Sequence, residues 1–325
     1  MAETTKMDFK AYMEDPRSIL VLDGALATEL QSRGCDLNDP LWSGKTLIEE
    51  PTAIAEVEKS YLQSGARCII TASYQATPEI LELRRNISSS EAYDIIKRSV
   101  QLAKQARDTY YKVSCEKPRV FVAGSVGPYG ALLADGSEYR GDYQRTAEEF
   151  KSFHRDRMRA LASAGADLFA LETQPSAPEV RALVDLIETE FPNSQAWVSF
   201  TVKEGDPSAM SDGTPFADIV PLLDASPNIV AIGVNCLPLM NADASLSHLA
   251  ALTKKPLVVY PNSGEQYDPN GKGWSGAQQS GTLAGECEKW LHHGARVIGG
   301  CCRTTPADIK ELTQKLVSLN YICSK

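Results

Sequence analysis

Cys301 and Cys302 stand side by side directly after Gly299-Gly300, and Cys236 closes the apolar run Ile229-Val-Ala-Ile-Gly-Val234 with only Asn235 between. Thiolates are strong ligands for Zn2+. Three of them on one ion leave a fourth tetrahedral position open, which is the catalytic arrangement; a closed set of four would be structural. Neighbouring cysteines rarely close a strain-free disulfide, because trans-linked Cα atoms sit nearer than a disulfide prefers. Two other readings stand beside the metal: small residues that finish a strand, and a redox pair at Cys301–Cys302. Cys35, Cys68, Cys115, Cys287 and Cys323 end no strand and read as small hydrophobes or exposed thiols.

Two carboxylates occupy similar places. Asp23 follows Ile19–Leu22 and precedes Gly24, and Glu172 follows Leu168–Leu171. A carboxylate at the end of a buried run is costly without a partner, which points Glu172 to a functional role. Asp23 fits equally a cap at a strand-to-helix turn and a ligand contact.

These residues need a scaffold that gathers them. Eight strand-like runs recur: Ile19–Leu22, Cys68–Thr71, Val120–Ala123, Leu168–Leu171, Ala196–Phe200, Ile229–Val234, Leu257–Tyr260 and Arg296–Ile298. Amphipathic segments such as Pro51–Gln63, Glu91–Tyr110, Thr146–Ser163 and Ala177–Glu190 separate them. The runs are apolar throughout rather than alternating, as in parallel strands covered on both faces. Ser64-Gly-Ala-Arg67, Ala164-Gly-Ala-Asp167 and His293-Gly-Ala-Arg296 repeat one helix-to-strand junction, each glycine at an expected helix C-cap. The expectation is an α/β chain forming a single-domain (β/α)8 TIM barrel over 19–320, with a helical extension at 1–18 and a tail at 321–325. A doubly wound sheet is the alternative; no G-x-G-x-x-G follows the first run. In a barrel, chemistry collects at the C-terminal ends of the strands. Those ends carry Asp23-Gly24, Thr71 and Ser73, Ser125, Glu172-Thr173, Asn235-Cys236, Asn262 and Cys301-Cys302.

Composition narrows the classes. The chain has 325 residues, 43% hydrophobic and 23% charged, enough for a sizeable core. Its 33 Lys+Arg against 42 Asp+Glu give a formal net charge of −9, which argues against a nucleic-acid groove. No apolar stretch reaches the roughly 18 residues of a membrane span, and the first residues lack a signal-peptide core. A cytoplasmic protein with reduced thiols is expected. H-E-x-x-H, C-x-x-C and G-x-S-x-G are absent.

Leu22-Asp23-Gly24-Ala25, Ile232-Gly-Val-Asn235-Cys236 and Gly299-Gly-Cys301-Cys302-Arg-Thr-Thr-Pro306 resemble the motifs of the homocysteine S-methyltransferase family. Thr71-Ala-Ser-Tyr-Gln-Ala-Thr77, Gly124-Ser-Val-Gly-Pro-Tyr-Gly130 and Tyr260-Pro-Asn-Ser-Gly-Glu265 resemble the branch that uses S-methylmethionine. The resemblance spans roughly 19–319. It implies a (β/α)8 barrel, one Zn2+ per chain on Cys236, Cys301 and Cys302, and homocysteine as methyl acceptor. It implies that Asp23 and Glu172 meet the homocysteine ammonium. Gly24, Thr71, Ser73, Asn235 and Asn262 complete the expected substrate contacts, with water or Asn235 as fourth zinc ligand in the free enzyme. Thr173 stands where betaine-using relatives have an aromatic residue, which speaks against betaine. Selenocysteine as acceptor, S-adenosylmethionine as donor, and a protein that holds homocysteine or zinc without turnover are the alternatives. The partners expected are small molecules, and the oligomeric state is open. The loops 129–143 and 263–281 read equally as lids over the mouth, their aromatic residues, Trp274 among them, able to face a sulfonium, and as surface loops with structural aromatics.

Overall fold

The computed structural model describes residues 8–321 apart from 38, 40, 42, 264, 265, 269–272 and 276–280; for 266–268 and 273–275 the description covers the backbone. The expectations for Trp274, Glu265 and Cys323 therefore lie outside the described residues or side chains.

All eight expected runs are strands: β1 (Leu20–Val21), β2 (Cys68–Ile70), β3 (Phe121–Val126), β4 (Leu168–Gln174), β5 (Ala196–Phe200), β6 (Ile229–Pro238), β7 (Leu257–Asn262) and β8 (Ala295–Ile298). They form one parallel sheet in the order β1-β8-β7-β6-β5-β4-β3-β2. A parallel bridge between Leu22 and Cys68 joins the two ends. The sheet is thus a closed (β/α)8 barrel, and the doubly wound alternative falls. Gly65, Gly165 and Gly294 at the three repeated junctions have φ of +111°, +79° and +95°, the left-handed cap that glycine adopts without Cβ strain. The last helix, Pro306–Ser318, starts on a capping box between Thr305 and Asp308 with proline in its first turn.

Strand side chains alternate between two buried environments. Leu20, Phe121, Leu168, Trp197, Val258 and Val297 fill the barrel interior, while Val21, Val122, Phe169, Val198 and Val259 pack against the helices. That double burial is why the runs read as uniformly apolar. The helix Phe9–Glu14 closes the N-terminal end. Phe9 is fully buried and meets Phe121 and Trp197 edge-on at 6.0 and 6.1 Å.

Packing is tightest at Gly233. A Cβ there would lie 1.8 Å from the Val258 carbonyl oxygen on β7. That atom belongs to the sheet backbone and cannot swing aside. Gly233→Ala is expected to cost about 3 kcal/mol, the upper part of the range for overpacking. Urea unfolding checks it, and an unchanged midpoint would show that the two strands have room to part.

Candidate metal and substrate site

The functional ends of β4 and β6 run past the apolar residues into irregular backbone. The β4–β5 register shifts between Leu171 and Gln174, and the β6–β7 register between Asn235 and Pro238. Within these irregularities Thr173 and Cys236 have φ of +58° and +56°. Such conformations cost of order 1–3 kcal/mol each for residues with a side chain, and persist only where the surroundings enforce them. Here a clasp does so: the Thr173 N–H donates to Asn235 Oδ1 at 2.8 Å, and Asn235 Nδ2 donates to Thr173 Oγ1 at 2.8 Å. The clasp fixes Glu172 and Cys236, each one residue from it.

The three cysteines named from the sequence converge. Sγ–Sγ distances are 3.2 Å for Cys236–Cys301, 3.7 Å for Cys236–Cys302 and 4.0 Å for Cys301–Cys302. A tetrahedral zinc site with bonds of ~2.3 Å has sulfur–sulfur edges of about 3.8 Å. The trio already brackets that size, so the donor set and its geometry both fit a thiophilic metal. Among the described residues this is the one group of three or more Cys, His, Asp or Glu gathered closely enough to hold an ion. Hydrogen bonds from Cys301 and Cys302 pull the Cys236 thiol well below its usual range, while the thiols of Cys301 and Cys302 are pushed up. Backbone contacts fix the pair after the glycines: Cys301 N–H donates to the Pro261 carbonyl at 2.7 Å, and Cys302 N–H to Asn262 Oδ1 at 3.1 Å. Thr304 Oγ1 donates to the Cys301 carbonyl at 2.7 Å.

The thiols open onto a cavity of about 170 Å³ that Asp23, Gly24, Thr71, Glu172, Glu138 and Tyr139 also line. Burial pushes Asp23 well above the usual carboxylate range, against a hydrogen bond from the Ile70 N–H to its Oδ2 at 2.9 Å. Burial also pushes Glu172 up to about 7, against hydrogen bonds from Ser125 and Tyr260. Ser125 Oγ donates to Glu172 Oε1, and Tyr260 Oη donates to Oε2 at 3.1 Å. Tyr260 is itself held by Trp197 Nε1 at 3.1 Å and Ser199 Oγ at 2.6 Å, inside the barrel. Two buried carboxylates lining one cavity, with Glu172 raising Asp23 further, call for a cation between them.

Not every expected contact faces this cavity. Asn235 spends both ends of its amide on Thr173, so it is a clasp and is not free to serve as fourth ligand or substrate contact. Asn262 supports the Cys302 backbone. Ser73 Oγ bonds Thr71 Oγ1 and the Ser125 carbonyl, both at 2.8 Å, and Thr71 Oγ1 also accepts from the Ser125 N–H at 3.0 Å. These three asparagine and serine residues shape the site from behind. Of the cysteines read as structural, Cys35, Cys68 and Cys287 are buried and Cys115 is exposed.

The sequence reading missed a buried network beneath the loop after β3. Arg157 donates to the Tyr74 carbonyl at 2.7 Å and to the Gly127 carbonyl at 2.5 Å, and meets His154 Nδ1 at 2.7 Å. His154 Nε2 lies 2.7 Å from Glu179 Oε1, which also accepts from the Tyr129 N–H at 2.6 Å. Tyr143 donates its hydroxyl to the other Glu179 oxygen. Both ends of the loop 129–143 are thereby tied to one buried carboxylate. A larger open groove, about 670 Å³, lies at the other end of the barrel around Lys10, Asp224 and Lys255. Lys255 there is occupied by three backbone carbonyls, and no thiol is present.

Residues 20–316 match the homocysteine S-methyltransferase family model. A homocysteine S-methyltransferase of Escherichia coli K12 is 52% identical over 299 residues, covering 92% of this chain and 95% of the relative. A selenocysteine Se-methyltransferase of Brassica oleracea var. italica is 39% identical over 332 residues, covering 98% and 95%. The metallated crystal form of the homocysteine methyltransferase MmuM from Escherichia coli superposes with a TM-score of 0.84 at 49% identity, over 93% of this chain and 98% of that one. With the barrel closed, the thiols gathered and the match running from β1 to the last helix, this chain belongs to the homocysteine S-methyltransferase family.

Proposed function

We propose that this enzyme transfers a methyl group from S-methylmethionine to the thiol of homocysteine, using one Zn2+ held by Cys236, Cys301 and Cys302. The carrying observation is the trio of sulfurs, 3.2–4.0 Å apart, sharing a cavity with two buried carboxylates. Bound there, Zn2+ would supply a deprotonated, electron-rich thiolate at neutral pH, where a free thiol of pKa near ~8.5 is mostly protonated.

The chain's own groups do the rest. Asp23 and Glu172 accept hydrogen bonds from the homocysteine ammonium. Ser125 and Tyr260 keep the Glu172 carboxylate aimed at it. Held by one end at these carboxylates and by its sulfur at the cysteines, the acceptor loses the freedom that an unassisted bimolecular displacement must freeze out. The donor's S–CH3 bond breaks and its electron pair stays on the donor sulfur, while the new S–CH3 bond forms on the acceptor thiolate. The acceptor's thiol proton leaves to solvent, and both products are methionine. The segments 71–77, 124–130 and 260–265 resemble the branch that uses S-methylmethionine, which supports that donor over a nucleoside sulfonium. The reduced thiols suit a cytoplasmic setting.

The test combines metal analysis with turnover. Purified reduced protein is expected to carry one zinc per chain and to form two methionines for each S-methylmethionine consumed with homocysteine. Zinc-loaded protein that forms none overturns the reading, as does full activity in metal-free protein. The relationship to the Brassica enzyme supports selenocysteine as a second acceptor at the same site. Competition between the two acceptors decides which is preferred.

A further inference from the structure

The loop after β3 brings a third carboxylate to the cavity. Glu138 sits in the one-turn 3-10 helix Ser137–Tyr139, which follows Gly136 in a left-handed conformation. It lines the same cavity as the thiols. Its Oε2 is buried and has no hydrogen-bond partner. The neighbouring Arg140 acts on Glu138 through its charge alone and spends its N–H groups elsewhere: it donates to Asp142 Oδ2 at 2.8 Å, to the Asp135 carbonyl at 2.9 Å and to Ser137 Oγ at 3.0 Å.

The loop that carries Glu138 is built to stay in place. Its carbonyl accepts from Thr201 Oγ1 at 3.3 Å. The Gly141 N–H donates to the Ser137 carbonyl at 2.8 Å. A Cβ at Gly130 would lie 2.6 Å from the Glu138 nitrogen, so the turn packs directly on the start of its own loop. Tyr139, the next residue, reaches Cys236 with its hydroxyl 3.4 Å from Sγ. Glu138 is therefore held beside the thiols on a braced turn, with one carboxylate oxygen out of water and unspent. Burial, working against a hydrogen bond from its own backbone N–H and aided by Cys236 and Asp135, holds its carboxyl up at about 7 in the ligand-free protein.

A half-buried carboxylate with one oxygen out of water and without a partner is costly to keep unless a ligand completes it. Asp23 and Glu172 are accounted for by the acceptor's ammonium. What remain in the reaction are the donor's two positive centres, its own ammonium and its sulfonium, and of these it is the sulfonium that must lie beside the thiols, because its methyl carbon has to come within about 3–3.5 Å of the acceptor sulfur. We propose that Glu138 is the donor-side counter-ion, binding the sulfonium of the methyl donor beside the cysteine cluster. This rests on the reading of the reaction given above. The charge it faces vanishes as the methyl group moves, so Glu138 stabilises the bound donor more than the transition state. Its contribution is then to donor affinity, and kcat is not its measure.

The experiment compares wild type, Glu138→Gln and Glu138→Asp, each zinc-loaded and checked by circular dichroism and metal content. Glu138→Gln is expected to raise KM for S-methylmethionine at least about tenfold, with KM for homocysteine and the zinc content unchanged and kcat not reduced. Glu138→Asp, which keeps the charge, is expected to recover most of the donor affinity. Calorimetric binding of S-methylmethionine without homocysteine reads the same difference in the absence of turnover. Weaker binding in Glu138→Gln supports the proposal even where no methionine forms, an outcome that would count against the reaction and not against Glu138. Equal donor affinity in wild type and Glu138→Gln overturns it. So does an equal loss in Glu138→Gln and Glu138→Asp, or a loss that falls on homocysteine as much as on the donor.

Discussion

Cys301→Ser is expected to abolish methyl transfer and to lose stoichiometric zinc together, with the fold retained. Cys301 is the closest partner of Cys236, at 3.2 Å, and belongs to all but one of the three sulfur–sulfur contacts. A serine hydroxyl in its place stays protonated near neutral pH and is a far poorer zinc ligand than a thiolate. Two thiolates alone leave a site of lower charge, which holds the ion less tightly and makes the acceptor sulfur less electron-rich. Loss of an outer-shell partner costs roughly 10–100-fold in affinity or activity, and loss of a direct ligand is expected to exceed that. The fold does not depend on this thiol: Cys301 lies three residues beyond the end of β8 and is held through its backbone, by the 2.7 Å bond to the Pro261 carbonyl. Metal content by plasma emission, methionine formation and thermal unfolding are measured on one preparation. Stoichiometric zinc with surviving activity would remove Cys301 from the site.

The residues that made this site legible in the sequence share one property: they end strands. Barrel strands are buried on both faces, so their apolar runs are conspicuous and the polar residue that stops each run stands out. That is how Asp23, Glu172, Cys236 and the Cys301-Cys302 pair were found, and all five line the cavity. The same rule over-assigned Ser73, Asn235 and Asn262. Position at a strand end does not say which way a side chain turns once the strand bulges, and these three turn to backbone or to neighbouring side chains. Tyr260 was read as the last apolar residue of its strand, yet its hydroxyl is what reaches Glu172. Glu138 lies in a loop with no periodicity, and its turn is placed by Thr201 and Cys236, far away in the chain, through the Glu138 carbonyl and the Tyr139 hydroxyl. The Arg157–His154–Glu179 network joins two helices and a loop, a proximity only the closed barrel creates.

Glu172→Gln is expected to separate activity from stability. The substitution keeps the shape, and both anchoring partners survive it. Ser125 can still donate to the amide oxygen, and Tyr260 can accept from the amide nitrogen while donating to Ser199. What disappears is the charge proposed to meet the acceptor's ammonium. Breaking a buried, hydrogen-bonded charge pair costs about 2–5 kcal/mol, or roughly 30- to several-thousand-fold in kcat/KM for homocysteine. Asp23→Asn acts on the same ammonium, so the double variant is expected to lose less than the sum of the two. Stability moves the other way. Burial raises Glu172 from 4.5 to about 7 in the ligand-free protein, so its folded form binds a proton more tightly than the unfolded chain does. A carboxyl raised in this way contributes stability below pH 4.5 that is lost as pH rises through about 7. Glutamine titrates at neither pH. Metal-free, ligand-free Glu172→Gln is therefore expected to gain stability relative to wild type at pH 8 compared with pH 5, while remaining the poorer enzyme at both. Urea unfolding at the two pH values, beside homocysteine kinetics and zinc content, checks this. A variant that loses stability and activity together at pH 8 would make Glu172 a structural residue and return the ammonium to Asp23 alone.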